Sequence, residues 1–318
     1  MTGRNLDCVI CGTCVADVLV RQVPLETPAG AGRLFHVDPI EVTTGGIVCN
    51  TGVAMRRLGA TVEAVALVGD DLWGREIVAR LAAAGVGTAG VERRQSGATS
   101  ATAVLIDGGG ERSFAHHVGV AGTLGPDDLR RHAALFCRSR FAVLGYFGLL
   151  PALEPRLAEA VSLIRAGGCR VVLETAGGGG VLADLAPALP AVDVFVPSLD
   201  EARGHAGDDD PRQIIACYRG HGCRGLVGVK CGTRGVVLSP EPGVVVDVPC
   251  VPAPGPVVDT TGAGDSFLAG LLAGMGRGFS PVDAARLGAA AAACCVTRAG
   301  ATAGLRGLDE TLALAGGP

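Results

Sequence analysis

Aromatic side chains make up only 3% of these 318 residues, and lysine occurs once, at position 230, among 27 basic residues. So few aromatics offer no platform for stacked bases, and a net charge of −4 with both signs interspersed gives no basic surface to track phosphates. Nucleic acid is not expected as a partner. No uninterrupted apolar run reaches the roughly 18 residues that a bilayer span needs. The opening MTGRNLDCVI also lacks a basic leader followed by an apolar segment and a small-residue cleavage site. A membrane partner is therefore not expected either, and the chain reads as a cytoplasmic protein. Repeats of roughly 20 to 50 residues, the mark of a solenoid, are missing.

What the sequence has in quantity is apolar residues, at 48%, enough to fill one large core or two small ones. Its 50 glycines fall at turns, without the three-residue period of a fibrous chain. Twelve cysteines could suggest a disulfide framework, but that inference belongs to short secreted chains. Here they sit within apolar segments and read as reduced, buried thiols.

The stretch CVICGTCVAD places Cys8, Cys11 and Cys14 at the spacing that opens a bacterial iron–sulfur motif. Val9 and Ile10 favour a strand, LDCVICGTC. In a strand, residues three apart face opposite sides, and Cys8 and Cys14 would lie roughly 20 Å apart at about 3.3 Å per residue. Three thiolates so placed cannot share a cluster, and the fourth cysteine followed by proline is missing.

Along the chain, VLVRQVPL and GRLFHVDPIEV read as short extended pieces, and TTGGIVCNTGVAMRRLGA as a turn entering an amphipathic helix with Val53 and Leu58 inward. VEAVALVGDD predicts a strand, LWGREIVARLAAAG a helix ended by Gly85, and TSATAVLID–GGG–ERSFAHHV a hairpin. From residue 127 helices and strands alternate: DDLRRHAALF, FAVLGYF, ALEPRLAEAVSLIRAGG, RVVLET, VDVFVP, SLDEARGHAG, DPRQIIACYRGHG and GLVGVK. Strands too apolar to have a wet face, alternating with helices, predict a parallel sheet covered on both sides. No linker divides the chain, so residues 1–318 read as one α/β domain, with a small β flap formed by segments about 17–44 and 99–118.

The stretch VVDTTGAGDSFLAGLLAGM carries the chemistry. Gly262, Ala263 and Gly264 form a turn almost without side chains, followed at once by a helix. First-turn amides lack partners and sit at the positive end of the helix dipole, so they make an anion site from backbone alone. Asp265 lies one residue on. It either complements the dipole or serves as a general base beside an anion hole, the pairing that phosphoryl transfer requires.

At these residues the chain resembles the ribokinase family, the PfkB-type carbohydrate kinases, through DTTGAGDSF. GGIVCNTGVAMRRLGA, LVGDDLWG, VPSLDEA, GVKCGTRGVVL and VTRAGA follow in the family's order over nearly the whole length. The resemblance implies a three-layer α/β/α fold with a central, mostly parallel sheet and a small β lid. It also implies ATP and Mg²⁺, transfer of the γ-phosphoryl to a hydroxyl of a sugar, nucleoside or sugar acid, and a homodimer through the lid. Asp265 becomes the catalytic base, with Gly262, Ala263 and Gly264 in the anion hole. On the sugar side stand Asp17, Gly45, Gly46 and Asn50, with Ile47 where several members carry Lys. Lys230, Gly232, Gly235, Thr261, Gly262 and Gly264 fall at nucleotide-binding positions. Glu201 would hold Mg²⁺ through water, with Ser198 in place of the usual Asn; Ser198 and Glu201 equally fit a helix capping box. Asp259, Thr261, Cys295, Arg298 and Gly300 match positions whose carbonyls bind K⁺ in many members, while Gly304 replaces a hydroxyl. The small-residue run GAAAAACC could pass close to adenine or merely pack a helix, and His116 and His117 on the lid could touch substrate. A kinase of a vitamin-like alcohol and a non-catalytic ligand sensor are the other readings; the retained base speaks against the sensor.

Overall fold

The computed structural model describes residues 4–27, 30 and 32–317; residues 28, 29 and 31 of the expected 17–44 flap segment fall outside it. The chain lays down β1 (Leu6–Cys11), leaves for a small sheet with β2 (Val15–Arg21) and β3 (Glu41–Gly45), and returns through α1 (Ile47–Arg57). β4 (Val62–Gly69), α2 (Leu72–Ala83) and β5 (Gly87–Arg94) follow, before β6 (Ala101–Ile106) and β7 (Arg112–His117) complete the small sheet. The second half runs α3 (Pro126–Arg131), α4 (Ala133–Arg138), β8 (Ser139–Phe147), α5 (Leu157–Ala166), β9 (Arg170–Thr175), α6 (Leu182–Leu185) and β10 (Val194–Phe195). It continues through α7 (Leu199–Ala206), α8 (Pro211–Gly220), β11 (Leu226–Lys230), β12 (Val236–Ser239) and β13 (Val246–Val248) to α9 (Ala263–Gly276), α10 (Pro281–Cys295) and α11 (Leu308–Ala315).

The large sheet has nine strands in the order β13-β12-β11-β10-β9-β8-β1-β4-β5. Every pairing from β5 to β11 is parallel, and only β12 and β13 are joined antiparallel. The small sheet runs β3-β2-β6-β7. Alternation along β1 shows why the layers form: Cys8 and Ile10 enter one core with residues of α1, α2, α9 and α10, while Val9 and Cys11 enter a second with residues of α3–α5, α7 and α8. Both faces are dry, as the apolar strands required. Each fully buried Val, Ile or Leu contributes about 1.5–3 kcal/mol relative to exposure, so a charge at Val9 or Ile10 would cost more than one such contact.

Strand order reverses at β1, whose neighbours are β4 on one side and β8 on the other. In open α/β sheets ligands bind beyond the strand ends at such a switch. Here Gly12 follows β1 with φ +152, and a Cβ there would run into the Gly145 carbonyl and the Ile47 side chain.

Several local expectations are corrected. The first strand ends at Cys11, not Cys14; Cys8 and Cys11 point to opposite faces, and all three thiols are buried and unbridged. Residues 32–40 of GRLFHVDPIEV are irregular, with strand beginning only at Glu41. DDLRRHAALF is broken at His132 (φ −105, ψ 17), whose ring nitrogen bonds Glu92 at 2.9 Å. β5, whose charged residues suit a sheet edge, and the short β13 were not foreseen.

Candidate active site

α9 begins at Gly262, which takes φ +76, and a Cβ there would come 2.5 Å from the Ala301 Cβ. The turn can be built only from glycine. Its amides face an 880 Å³ cavity lined by Gly262, Ala263, Gly264 and Asp265 from one side. Among the described residues, the Gly262, Gly264 and Asp265 amides have no acceptor, whereas Ala263 donates to the Thr260 carbonyl at 3.2 Å. Of the four amides in the expected 262–265 anion hole, Ala263 thus has a partner within the turn and the other three have none.

The Asp265 carboxylate is buried, yet it forms part of the cavity wall. Oδ2 accepts from the Tyr146 hydroxyl at 2.7 Å and from Asn50 Nδ2 at 2.9 Å, and Thr51 Oγ1 lies 3.4 Å from Oδ1. Burial raises its pKa, against the pull of Tyr146, Asn50, Lys230 and Thr51. A buried carboxylate made more basic is suited to accept a proton.

Tyr146 explains how the Asp265 carboxylate is aimed. It sits at φ +27 where the β8–β9 register shifts between Gly145 and Phe147, so a bulge turns the ring out of the ladder toward Asp265. Lys230 ends β11, pairs with Glu174 at the end of β9, and would lie 3.3 Å from a Cβ on Gly264. Its ammonium therefore adjoins the anion turn. Burial alone would lower the Lys230 pKa, but Glu174 and Glu201 more than offset it and raise it, so it remains charged. Glu174 is pushed upward by burial, and its Oε2 is buried without a partner.

Ser198 caps α7 and accepts from the Glu201 amide at 3.3 Å; Glu201 Oε2 accepts from the Ser198 amide at 2.8 Å and from Thr175 Oγ1 at 3.0 Å. The reciprocal capping box is thus present, and Glu201 still lines the cavity. Gly232 and Gly235 line it as well, and Gly235 (φ +88) lets the backbone pass against the Val248 carbonyl. Ala289, Ala292 and Ala293 line the cavity together with Val251 and Pro252, while Gly288 packs against Phe267. The small-residue run thus packs the helix and lines the cavity.

A second recess, about 140 Å³, lies under the small sheet and shares Tyr146 with the large cavity. Asp17, Gly46, Thr13, Ser100, Thr102 and His116 line it, with no Lys or Arg. Gly45 and Gly46 are required there: a Cβ on Gly45 would strike the Asp17 carboxylate, and one on Gly46 (φ +84) would lie 2.5 Å from the Thr13 carbonyl. Burial pushes Asp17 up to about 6, moderated by Thr102. Thr13 Oγ1 and Asn50 Oδ1 are buried without partners. Ile47 is fully buried in the core. His117 lies outside the recess.

Of the residues matched to nucleotide binding, Thr261 does not line the cavity, because its hydroxyl accepts from Arg112 Nη1 at 2.7 Å; Thr260 lines it instead. Of the set matched to K⁺, Asp259 is brought against Gly300, and Thr261 against Cys295. Asp259 accepts from the amides of Thr261 and Gly300 at 2.8 and 2.9 Å and pairs with Arg112 at 2.9 Å. Burial opposes ionisation of Asp259, but the Gly300 and Thr261 donors and Arg112 bring it down to about 2. The Cys295 thiol lies 3.4 Å from the Thr261 carbonyl and 3.1 Å from that of Ala301, and Arg298 is exposed.

Sequence reasoning did not find Tyr146, Thr51, Glu174, Thr13, Thr102 or Arg112. Glu174 carried a signal, as the one acid inside the apolar strand RVVLET; Tyr146 and Arg112 carried none.

The model of the pfkB family carbohydrate kinases matches residues 6–306. A Mus musculus ribokinase is 26% identical over 272 residues, 83% of this chain and 80% of its own. A Klebsiella pneumoniae fructokinase is 30% identical over 287 residues, 87% of each chain. The structure of Arabidopsis thaliana ribokinase complexed with ribose and ATP superposes with a TM-score of 0.84 at 22% identity, covering 98% of each chain. The chain belongs to the PfkB family of carbohydrate kinases. Within it, the fold is of the ribokinase type and the enzyme class is that of the ATP-dependent carbohydrate kinases.

Proposed function

We propose that this enzyme transfers the γ-phosphoryl of ATP to a hydroxyl of a small, neutral polyol of monosaccharide size, with Asp265 as general base. The observation that carries the reading is the shared wall: Tyr146 bounds both cavities and holds the Asp265 carboxylate beside the unpartnered amides of Gly262, Gly264 and Asp265.

The large cavity falls within the range of about 300–1,000 Å³ typical of cofactor-sized ligands, and the recess falls well below it. The recess has the bulk volume of roughly five waters, room for a compact polyol without an attached base. Its lining supplies hydroxyl and carboxylate partners and no cation, and Asp17 disfavours a phosphorylated or acidic substrate by like-charge repulsion. Asp17, the open Thr13 Oγ1 and the open Asn50 Oδ1 would bind and orient hydroxyls. ATP would lay its base against the alanines of α10 and its phosphates toward Lys230 and the glycine turn. Asp265 then takes the proton of the attacking hydroxyl, while the amides and the Lys230 ammonium stabilise charge on the moving phosphoryl.

Mg²⁺ fits the donors present: the hard carboxylates of Glu174 and Glu201, one with an orphaned buried oxygen, could hold it through water beside the phosphates. Bound there, it would offset charge on the phosphate oxygens. Near Asp259, where K⁺ would be held by backbone carbonyls, Arg112 already balances the carboxylate. The small sheet acts as the lid over the polyol, the exposed Phe114 on its edge strand β7 is consistent with pairing of two lids in a homodimer, and a cytoplasmic setting suits an ATP-using enzyme. Among the described residues no helix is long and apolar enough to cross a membrane.

The test is an ATP-consumption screen of neutral monosaccharides, sugar acids, phosphosugars and nucleosides. Turnover with a neutral monosaccharide, at a kcat/KM about a hundredfold above its phosphorylated or acidic analogues, is expected. A nucleoside as best substrate would overturn the substrate class, and no consumption with any of them would favour a sensor.

A further inference from the structure

Arg112 opens β7 in the lid, yet its guanidinium reaches the large-sheet side of the cleft. Nη2 lies 2.9 Å from Asp259 Oδ1, and Nη1 donates to Thr261 Oγ1 at 2.7 Å. Those residues lead directly into Gly262. Asp259 Oδ1 also accepts the Thr261 amide, and Oδ2 accepts the Gly300 amide, so the carboxylate staples the entrance of α9 to the loop after α10. The Asp259 side chain is only 9% exposed and that of Arg112 31%, so the guanidinium balances a largely desolvated charge. Removing one partner of such a pair costs far more than losing a surface contact.

Arg112 already supplies a positive charge to the Asp259 carboxylate, so a metal cation there would compete with it. The Cys295 thiol lies within reach of the Thr261 and Ala301 carbonyls, of which its one S–H can serve one, and Gly304, pressed against the carbonyls of Cys294 and Cys295, brings no hydroxyl. The other end of β7 carries His116, which lines the polyol recess and bonds Thr102 at 3.0 Å. One six-residue strand therefore reaches the recess through His116 and the segment leading into Gly262 through Arg112.

We infer that Arg112 is a positioning residue that does the work of a monovalent cation in this chain, fixing the Asp259–Thr261 segment so that the Gly262 and Gly264 amides stay aimed at the phosphoryl. Because it rides on the lid, ordering of the anion turn is tied to lid closure over the polyol. The inference rests on the kinase reading of the site, but one of its two readouts does not depend on that reading.

The experiment compares wild type with Arg112→Gln and Arg112→Lys in NaCl and in KCl at equal ionic strength. Melting temperature is followed without substrates, and kcat and KM with them. Wild type should show the same melting temperature in both salts and rates within about twofold. Arg112→Gln should lose at least about tenfold in kcat in NaCl, recover several-fold in KCl, and gain a K⁺-specific rise of a few degrees in melting temperature. Arg112→Lys should lie between. Strong K⁺ activation of wild type, an Arg112→Gln rate equal to wild type, or an Arg112→Gln protein blind to K⁺ in both readouts would each overturn the assignment. If no substrate is turned over at all, the functional reading fails, and the melting temperatures still decide the role of Arg112.

Discussion

The two cavities that meet at Tyr146 are built on opposite plans. The larger is lined largely by the glycine turn, the alanines of α10 and the loop of residues 250–253, with Glu174, Asp200, Glu201, Lys230 and Asp265 as its charged residues. The smaller is made of polar side chains borne mostly on the lid and on the loop after β1. A nucleotide presents the same phosphates to every enzyme that uses it, and main-chain amides recognise them without sequence-specific side chains. A polyol differs from its neighbours only in where its hydroxyls point, so the residues that read it must be side chains that can vary.

That contrast can be broken at several points. The largest effect is expected at the turn: Gly262→Ala forces a Cβ into φ +76 and against Ala301, and kcat should fall about a hundredfold, with a stability loss of about 1–3 kcal/mol by chemical denaturation. Next comes Asp17→Asn, which should raise the polyol KM about tenfold and leave the ATP KM unchanged. Asp17 has its pKa raised from 3.8 to about 6 by burial, so kcat/KM for the polyol should fall as pH drops through about 6 and its carboxyl is protonated. The same shift means that ionised Asp17 costs stability, a penalty absent below about pH 3.8, growing from there to about pH 6 and constant above it. Asp17→Asn should therefore be more stable than wild type near pH 7.5, by about 1–2 kcal/mol, and lose the acid limb of the rate profile.

A smaller and opposite effect is expected from Lys230→Arg, which should raise the ATP KM several-fold and spare the polyol KM, because a planar fork cannot replace a compact ammonium paired to buried Glu174. An unchanged ATP KM would remove Lys230 from the phosphate site. Least of all, Cys8→Ala should cost about 1 kcal/mol and leave kcat intact, as expected for a thiol that only packs the sheet.

How much of this was legible in the sequence follows from distance along the chain. The alternation of apolar strands with helices showed the layered sheet, and Gly262–Asp265 could be read as an anion turn with its acid because they are contiguous. Glu201 and Ser198, three apart, were equally visible. The partners of Asp265 were not: Asn50 and Tyr146 come from α1 and β8, and only the strand order at β1 brings them together. Tyr146 reads in FAVLGYF as an ordinary strand residue, since nothing in that pattern marks the bulge. Arg112 looked like one end of a hairpin, and its reach to Asp259, 147 positions away, is a property of the folded lid. The Ala263 amide was assigned with its neighbours because spacing cannot show which member of a turn bonds its own Thr260.

The central claim is that one buried carboxylate, held by Tyr146 and Asn50 beside free amides, accepts the proton of the attacking hydroxyl. Asp265→Asn tests it most directly, by single-turnover transfer of labelled γ-phosphoryl alongside calorimetric ATP binding. Transfer slowed at least about a thousandfold with ATP affinity within about threefold of wild type is the expected result. Transfer within about tenfold of wild type would contradict the account.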